Sequence, residues 1–276
     1  MYRNDESLHA AEIDGVLMQS RGSVFGETVF YCSRGIRRSV RNASRISELG
    51  FIWPDDLKPV PEAVLKAFLP GGIVPGSYPN GFRTKGITSS LDMRELLGSS
   101  VYGYGLEIGA GSSPFPVALG ATVRYADIFP FEVLRRSLYP GQNPHDLVCP
   151  EYVTNIKTLA GIPDSSFDFI VACHVIEHTN NPIAAIESCY RVLRSGGTLI
   201  LVVPDMTRTF DRKRELTSLS HLIEDYESPS EERDLAHYVD FYTNAFPVPS
   251  GTNILEHAVK QQRDSVDIHY HTFDYK

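Results

Sequence analysis

Two carboxylates and a glycine pair carry the readable chemistry of this 276-residue chain. Glu107 stands two residues before Gly109 in the run LEIGAG, Gly111 follows, and Asp127 comes 18 residues after Gly109. Gly109 and Gly111 permit backbone angles that a side chain forbids, and let a ligand come close. A carboxylate at Glu107 can face a ligand ammonium, directly or through water. One at Asp127 can accept bonds from both hydroxyls of a ribose. A dinucleotide fits less well. Its fingerprint wants Gly or Ala where Pro114 stands, and an acid at Glu107 would repel phosphates. Downstream, CHVIEH supplies His174 and His178, candidate bases for removing a proton from an acceptor; each also suits a helix start or a packing position. His269 and His271 alternate in DIHYH, so a strand there would point both to one face. No third ligand is identifiable, and no metal site is expected.

These residues need elements to hold them. YGYGLEI alternates as a strand, with Tyr104, Leu106 and Ile108 on one side. A helix is expected to begin near Ser112–Pro114, with its free N–H groups over the strand end. ATVRYADIF reads as a second strand with Val123, Tyr125 and Ile128 packing. FEVLRRSLY reads as a short helix, YVTNI as a weak strand, and SFDFIVACHV as a buried one. NPIAAIESCYRVLRSGG is a helix capped by Asn181, with a stripe of Ile183, Ile186, Tyr190 and Leu193. GTLILVVPD is a further strand. Strands alternating with helices imply a parallel sheet with helices on both faces, and ligands bind beyond the carboxyl ends of its strands.

Upstream, VLMQSRGSVFGETVFYC reads as a hairpin and GIRRSVRNASRISELGF as a basic helix or loop, with Arg34, Arg37, Arg38 and Arg41 either on a solvated face or forming a basic patch for an anionic partner. PEAVLKAFLPGG reads as a helix stopped by Pro70-Gly71-Gly72, and residues 72–86 as a linker or ordered loop. Another helix spans Ser89–Leu97. Residues 206–243 are rich in charge and include a helix, SLSHLIEDY, with Leu219, Leu222 and Ile223 packing. Arg212 and Arg214 there could grip an anionic substrate. The expected organisation is an N-terminal extension over 1–75, a binding core over 76–205, and a helical lid with a shortened C-terminal part over 206–276.

The net charge of −8 argues against a non-specific nucleic-acid binder. No apolar run is long enough to span a bilayer and no signal peptide is evident, so the cytoplasm is the expected location. Cys32, Cys149, Cys173 and Cys189 are scattered and read as reduced thiols.

In order, LEIGAGSSP, YADI, IPDSSFDFIVACHVIEH and RVLRSGGTLILVVPD resemble the class I S-adenosylmethionine-dependent methyltransferases, and in particular the methyltransferase type 11 group. The resemblance covers residues 104–205. PDMTRTFDRKRELTSLSHLIEDY also resembles members found beside or fused to glycosyltransferases in bacterial surface-polysaccharide pathways. The resemblance implies a Rossmann-like, doubly wound, mostly parallel α/β sheet and the cofactor S-adenosylmethionine. Gly109, Ala110 and Gly111 would lie under its methionine part and Glu107 would face its ammonium. Asp127 would hold the ribose, with Ile128 against adenine. Asn155 and Ile156 would stand at the adenine edge, with Asn155 in place of the family's acid. Cys173 and His174 would line the pocket near the sulfur. The implied reaction is methylation of a small-molecule or glycan acceptor, with oxygen as the expected acceptor atom. The rival readings are a non-catalytic cofactor-binding scaffold and a nicotinamide-dependent oxidoreductase. The fold usually has seven strands, yet only VDIHYHTFDYK remains as a candidate strand after residue 204. The expectation is therefore a C-terminally shortened sheet, or the leading part of a longer protein, with an open edge covered by the N-terminal segment or a partner chain.

Overall fold

In the computed structural model the described residues are 15–20, 28–33, 36–40, 46, 49, 51–60, 62–66, 68–73, 90–246 and 248–275. Arg34, Arg41 and most of the Gly/Pro-rich 72–86 stretch lie outside them. The chain divides into two units: residues 1–153 with 167–169, and residues 154–166 with 170–276.

The first unit opens with a five-stranded sheet of β1 (Val16–Ser20), β2 (Val29–Ser33), β3 (Ile36–Ser39), β4 (Lys58–Val60) and β5 (Leu69–Ile73), in the order β4-β1-β2-β3-β5. The hairpin is present: β1 pairs antiparallel with β2, Val16 opposite Cys32. The first residues of the expected basic helix or loop form β3, antiparallel to β2. The helix before Pro70 is short, α1 (Glu62–Lys66), and Pro70-Gly71-Gly72 lies within β5, paired to β3. Met18, Phe30, Cys32, Leu65 and Phe68 form the core here. Arg37 and Arg38 do not form a solvated face; both are buried. Arg37 donates to the carbonyls of Leu65, Phe68 and His145, and stands 3.7 Å from Asp146. A buried guanidinium needs such partners to offset its lost hydration. These two arginines are therefore structural and unavailable as a basic patch.

After α2 (Ser90–Gly98), β6 (Tyr104–Ile108) pairs in parallel with β7 (Thr122–Asp127), and β7 with β8 (Tyr152–Val153). The opening residues of β9 (Phe167–Cys173) lie beside β6, giving the order β9-β6-β7-β8 within this unit. Asp168 accepts the Tyr104 N–H at 2.8 Å, and the Tyr104 and Phe167 rings stack at 5.3 Å. Gly105 sits under the Phe169 ring, which a Cβ would penetrate.

In the second unit β9 continues through Ile170, Val171 and Ala172, all buried, as its unbroken apolar run requires for a strand covered on both faces. Its neighbour is β10 (Leu193–Val202). Between them runs α3 (Pro182–Val192), where Asn181 Oδ1 accepts the Ala184 N–H at 3.0 Å and Pro182 takes the first turn. The buried face of α3 is Ala185, Ser188, Cys189 and Val192, while Ile186 and Tyr190 of the expected stripe are exposed. Small residues on that face let the helix pack closely. Then come α4 (Leu219–Glu227), α5 (Glu231–Asp240) and α6 (Ile254–Arg263). Among the described residues the candidate strand at 266–275 is irregular apart from a single bridge from Phe273 to Asp205. The parallel β6–β7–β8 ladder in the first unit, and β9 beside β10 with α3 between them in the second, have the strand and helix alternation of a Rossmann-like α/β fold.

Gly105→Ala should lower stability in a denaturant titration by about 1–3 kcal/mol, the usual cost of forcing atoms into a packed core. Gly120→Ala, where an added Cβ meets nothing within 4 Å, should change it by less than about 0.5 kcal/mol.

Candidate functional site

The glycine turn is held by the backbone. Gly109 N–H donates to the Ala126 carbonyl and Val148 N–H to the Gly111 carbonyl, each at 2.9 Å. Both glycines are left-handed, at φ 70° and 53°. Gly111 has a second constraint: the Tyr139 hydroxyl lies where its Cβ would be. The register sets Glu107 opposite Tyr125 and Ile108 opposite Ala126, so Glu107, Gly109, Ala110, Gly111 and Asp127 share the ends of two adjacent strands.

No helix follows this turn, contrary to the sequence expectation; residues 111–121 are turn and irregular chain. Pro116 disfavours the helical region for Phe115, and Pro114 and Pro116 both lack an N–H. The Phe115 N–H goes instead to Glu107, 2.8 and 3.0 Å from its two oxygens. Glu107 is 2% exposed. Burial pushes its pKa up to about 8, against the opposing pull of the Phe115 N–H and the Arg94 charge. No helix N-terminus therefore faces this strand end among the residues after the turn.

Asp127 is half-buried and accepts the Phe129 N–H at 3.0 Å. Burial raises its pKa, opposed by the Phe129 and Ile128 N–H groups. Ile128, expected to pack, is 53% exposed at the strand end. Tyr139 was not legible as a site residue. Burial and then the Asp127 charge raise its pKa, which sets its hydroxyl in the field of that carboxylate as well as over Gly111.

The second unit holds the other expected residues. Asn155 Oδ1 accepts the Lys157 N–H at 2.9 Å, closing its own turn, and Ile156 is buried with its carbonyl accepting the Ser188 hydroxyl. Cys173 ends β9, half-buried. His174 follows at φ 56°, a left-handed conformation uncommon outside glycine and typical of functional sites. Its Nδ1 stands 3.2 Å from buried Glu177. His178 Nδ1 lies 2.9 Å from Asp267, and its ring meets that of His269 edge-on at 4.7 Å. Burial pulls the His178 pKa down, but the Asp267 hydrogen bond and charge, with Glu177 and the Ile268 backbone, outweigh it and the net shift is upward. His269 in turn lies 2.7 Å from Asp211. His269 and His271 do not share a face, since irregular chain frees them from strand alternation: His269 joins His178 and Asp211, and His271 packs against His221 and His237.

Beside this chain of groups is a pocket of about 560 Å³ lined by Arg208, Phe210, Arg212, Lys213, Thr243 and Asn244, among others. Arg214 does not reach into it. It is buried, bonded to Asp211 at 3.0 Å, to Asp240 at 2.7 Å and to the carbonyls of His269 and Tyr270. Three cations, with an aromatic ring and two polar side chains, suit an anionic molecule that also carries hydroxyls.

The sequence model of a family described as a methyltransferase domain matches residues 106–201. A ubiquinone biosynthesis O-methyltransferase of Xanthomonas campestris pv. campestris is 29% identical over 140 residues, 49% of this chain and 55% of that protein. One of Xanthomonas oryzae pv. oryzae is 29% identical over 166 residues, 59% of this chain and 63% of that protein. The chain thus spans little more than half the length of these curated relatives. A solved S-adenosylmethionine-dependent methyltransferase of Thermotoga maritima is 22% identical with a TM-score of 0.31, over 56% of this chain and 62% of that one. The matched stretch begins inside β6, takes in the glycine turn and both strand-end acids, and runs through β9 and α3 into β10; over these residues the chain is similar to a methyltransferase domain.

Proposed function

We propose that this chain transfers the methyl group of S-adenosylmethionine to an oxygen of an anionic, glycan-like small acceptor. The match of residues 106–201 to a methyltransferase domain carries the reading. Two features of the first unit fit the cofactor. Glu107 is a desolvated carboxylate with lone pairs beyond those that take the Phe115 N–H, and an ammonium is the partner that favours its charged form. Asp127 and the Tyr139 hydroxyl set polar groups beside exposed Ile128, a combination suited to a ribose joined to a flat base. When bound, the cofactor supplies a sulfonium methyl already activated for in-line transfer.

The rest of the work falls to side chains. Glu107 and Asp127 hold the two ends of the cofactor. Arg208, Arg212 and Lys213 orient an anionic acceptor. His178, oriented by Asp267, takes the acceptor's proton. The names of the Xanthomonas relatives favour oxygen as the methyl acceptor, and the basic pocket, with the resemblance of 204–226 to polysaccharide-pathway members, favours a sugar acid or sugar phosphate. A second reading, cofactor binding without transfer, is favoured by one observation: among the described residues the expected C-terminal strand at 266–275 is irregular apart from a single bridge. Methyl-labelled cofactor with a panel of uronic acids and phosphorylated sugars separates the two, since label in an acceptor requires the first and cofactor binding without label transfer requires the second.

Three outcomes follow from the residue roles. With a free pKa of about 8, Glu107 is mostly protonated at neutral pH, and a bound ammonium favours its ionised form. Calorimetry in buffers of different ionisation enthalpy should show proton release on S-adenosylhomocysteine binding, with affinity rising from pH 6 to 8. Glu107→Gln should abolish both effects. Arg212→Ala with Lys213→Ala should lower kcat/KM for an anionic acceptor by about 10–100-fold, as loss of charge-assisted bonds does, and leave S-adenosylhomocysteine affinity unchanged. His178→Ala should lower kcat by about 10²–10⁴-fold. Because Asp267 raises the His178 pKa and a base acts deprotonated, Asp267→Asn should move the acidic limb of the pH–rate profile to lower pH.

A further inference from the structure

The helix α4 is packed inside out. Leu219 and Ile223, expected to face the core, are exposed, while Asp225 is 3% exposed. His221 and Asp225 are four residues apart and so share one face of the helix. Toward that face come His237 from α5 and His271 from the C-terminal segment. The Nε2 atoms of His221, His237 and His271 lie 3.2, 3.3 and 3.7 Å from the same atom, Asp225 Oδ2. One ligand atom from each of the four residues falls within 4.8 Å of all the others.

Hydrogen bonding does not account for this convergence. Asp225 Oδ2 and both ring nitrogens of His271 are buried without a hydrogen-bond partner of good geometry, although the Asn180 backbone lies close to the His271 ring. Orphaned buried polar atoms are costly, and Asp225 Oδ2 faced by three imidazole nitrogens is a set of lone pairs that a cation would satisfy together. We propose that His221, Asp225, His237 and His271 bind a divalent transition metal, with Zn²⁺ the best fit. Three imidazole nitrogens and one carboxylate oxygen form a closed tetrahedral donor set. At metal–ligand distances of about 2.0–2.1 Å, neighbouring donors stand about 3.3 Å apart, which the two shorter contacts match.

The surrounding groups are those that orient metal ligands. His237 Nδ1 is 3.1 Å from the Tyr270 carbonyl, which fixes the tautomer with its Nε2 lone pair free. The other oxygen of Asp225 accepts from Arg233 at 2.8 Å, leaving Oδ2 for the ion. With four protein ligands the site is structural. It ties α4, α5 and the C-terminal segment together, and α5 continues directly into Thr243 and Asn244 of the basic pocket. The site stands whether or not methyl transfer is the activity.

The test uses the full chain, purified without a polyhistidine tag or chelator. Metal analysis should find about one Zn²⁺ per chain; a chelator should lower the melting temperature and added Zn²⁺ should restore it. Co²⁺ added to the stripped protein should give the intense visible bands of a tetrahedral site. His271→Ala and Asp225→Asn should lose at least nine-tenths of the bound metal, while His257→Ala, on α6 against Tyr242, should keep it. The Co²⁺ spectrum of the unaltered chain decides the matter even if a variant fails to fold. Purification free of metal, with no Zn²⁺-dependent melting shift and no tetrahedral Co²⁺ spectrum, overturns the proposal.

Discussion

The bond from the Phe115 N–H to buried Glu107 governs the first unit's binding face. Two prolines flank the donor and deny it a helix, so this N–H must find an acceptor elsewhere. Glu107 provides one from beneath the turn, at the cost of desolvating a carboxylate. The chain then leaves Gly111 through a turn, and the Tyr139 hydroxyl occupies the space over that glycine. In the proposed site, recognition would rest on strand-end side chains and a tyrosine, where a helix dipole would otherwise contribute. Such a face favours a ligand with a cationic end over one with phosphates.

The second unit follows a different logic, in which charge is packed inward. Arg214 is enclosed by Asp211, Asp240 and two carbonyls, and Asp211 also reaches His269. Burial tends to raise the Asp211 pKa, but His269 and Arg214 outweigh it and hold the carboxyl below its usual range. These contacts draw the C-terminal segment against α5 and leave Arg208, Arg212 and Lys213 facing the pocket. Apolar packing does part of the same work through Tyr238, Phe241, Tyr242, Ala258 and Ile268.

The strands were legible because a parallel sheet demands unbroken apolar runs, as in β9, and α3 because Asn181-Pro182 is a local start signal. The acids at Glu107 and Asp127 were legible for a similar reason: each is fixed by its place on a strand. What escaped the sequence depends on distant partners. Nothing local marks Arg37 as buried, since its acceptors come from residues 65, 68 and 145. The missing helix after Gly111 was written in Pro116, but a glycine turn and a serine cap suggested the opposite. Strand alternation makes His271 half of a pair with His269, but irregular chain sends it to residues 34 to 50 positions upstream. The apolar residues of α4 misled for want of any signal that its polar face was the covered one.

The central claim is that the ends of β6 and β7 hold an amino acid joined to a nucleoside. Isothermal titration of S-adenosylhomocysteine and of NAD⁺ into the full chain and its Asp127→Ala variant tests it most directly. The account predicts saturable one-to-one binding of S-adenosylhomocysteine, weakened about tenfold or more in the variant by loss of charged hydrogen bonds, and no binding of NAD⁺. Preference for NAD⁺, or S-adenosylhomocysteine binding indifferent to Asp127, would contradict it.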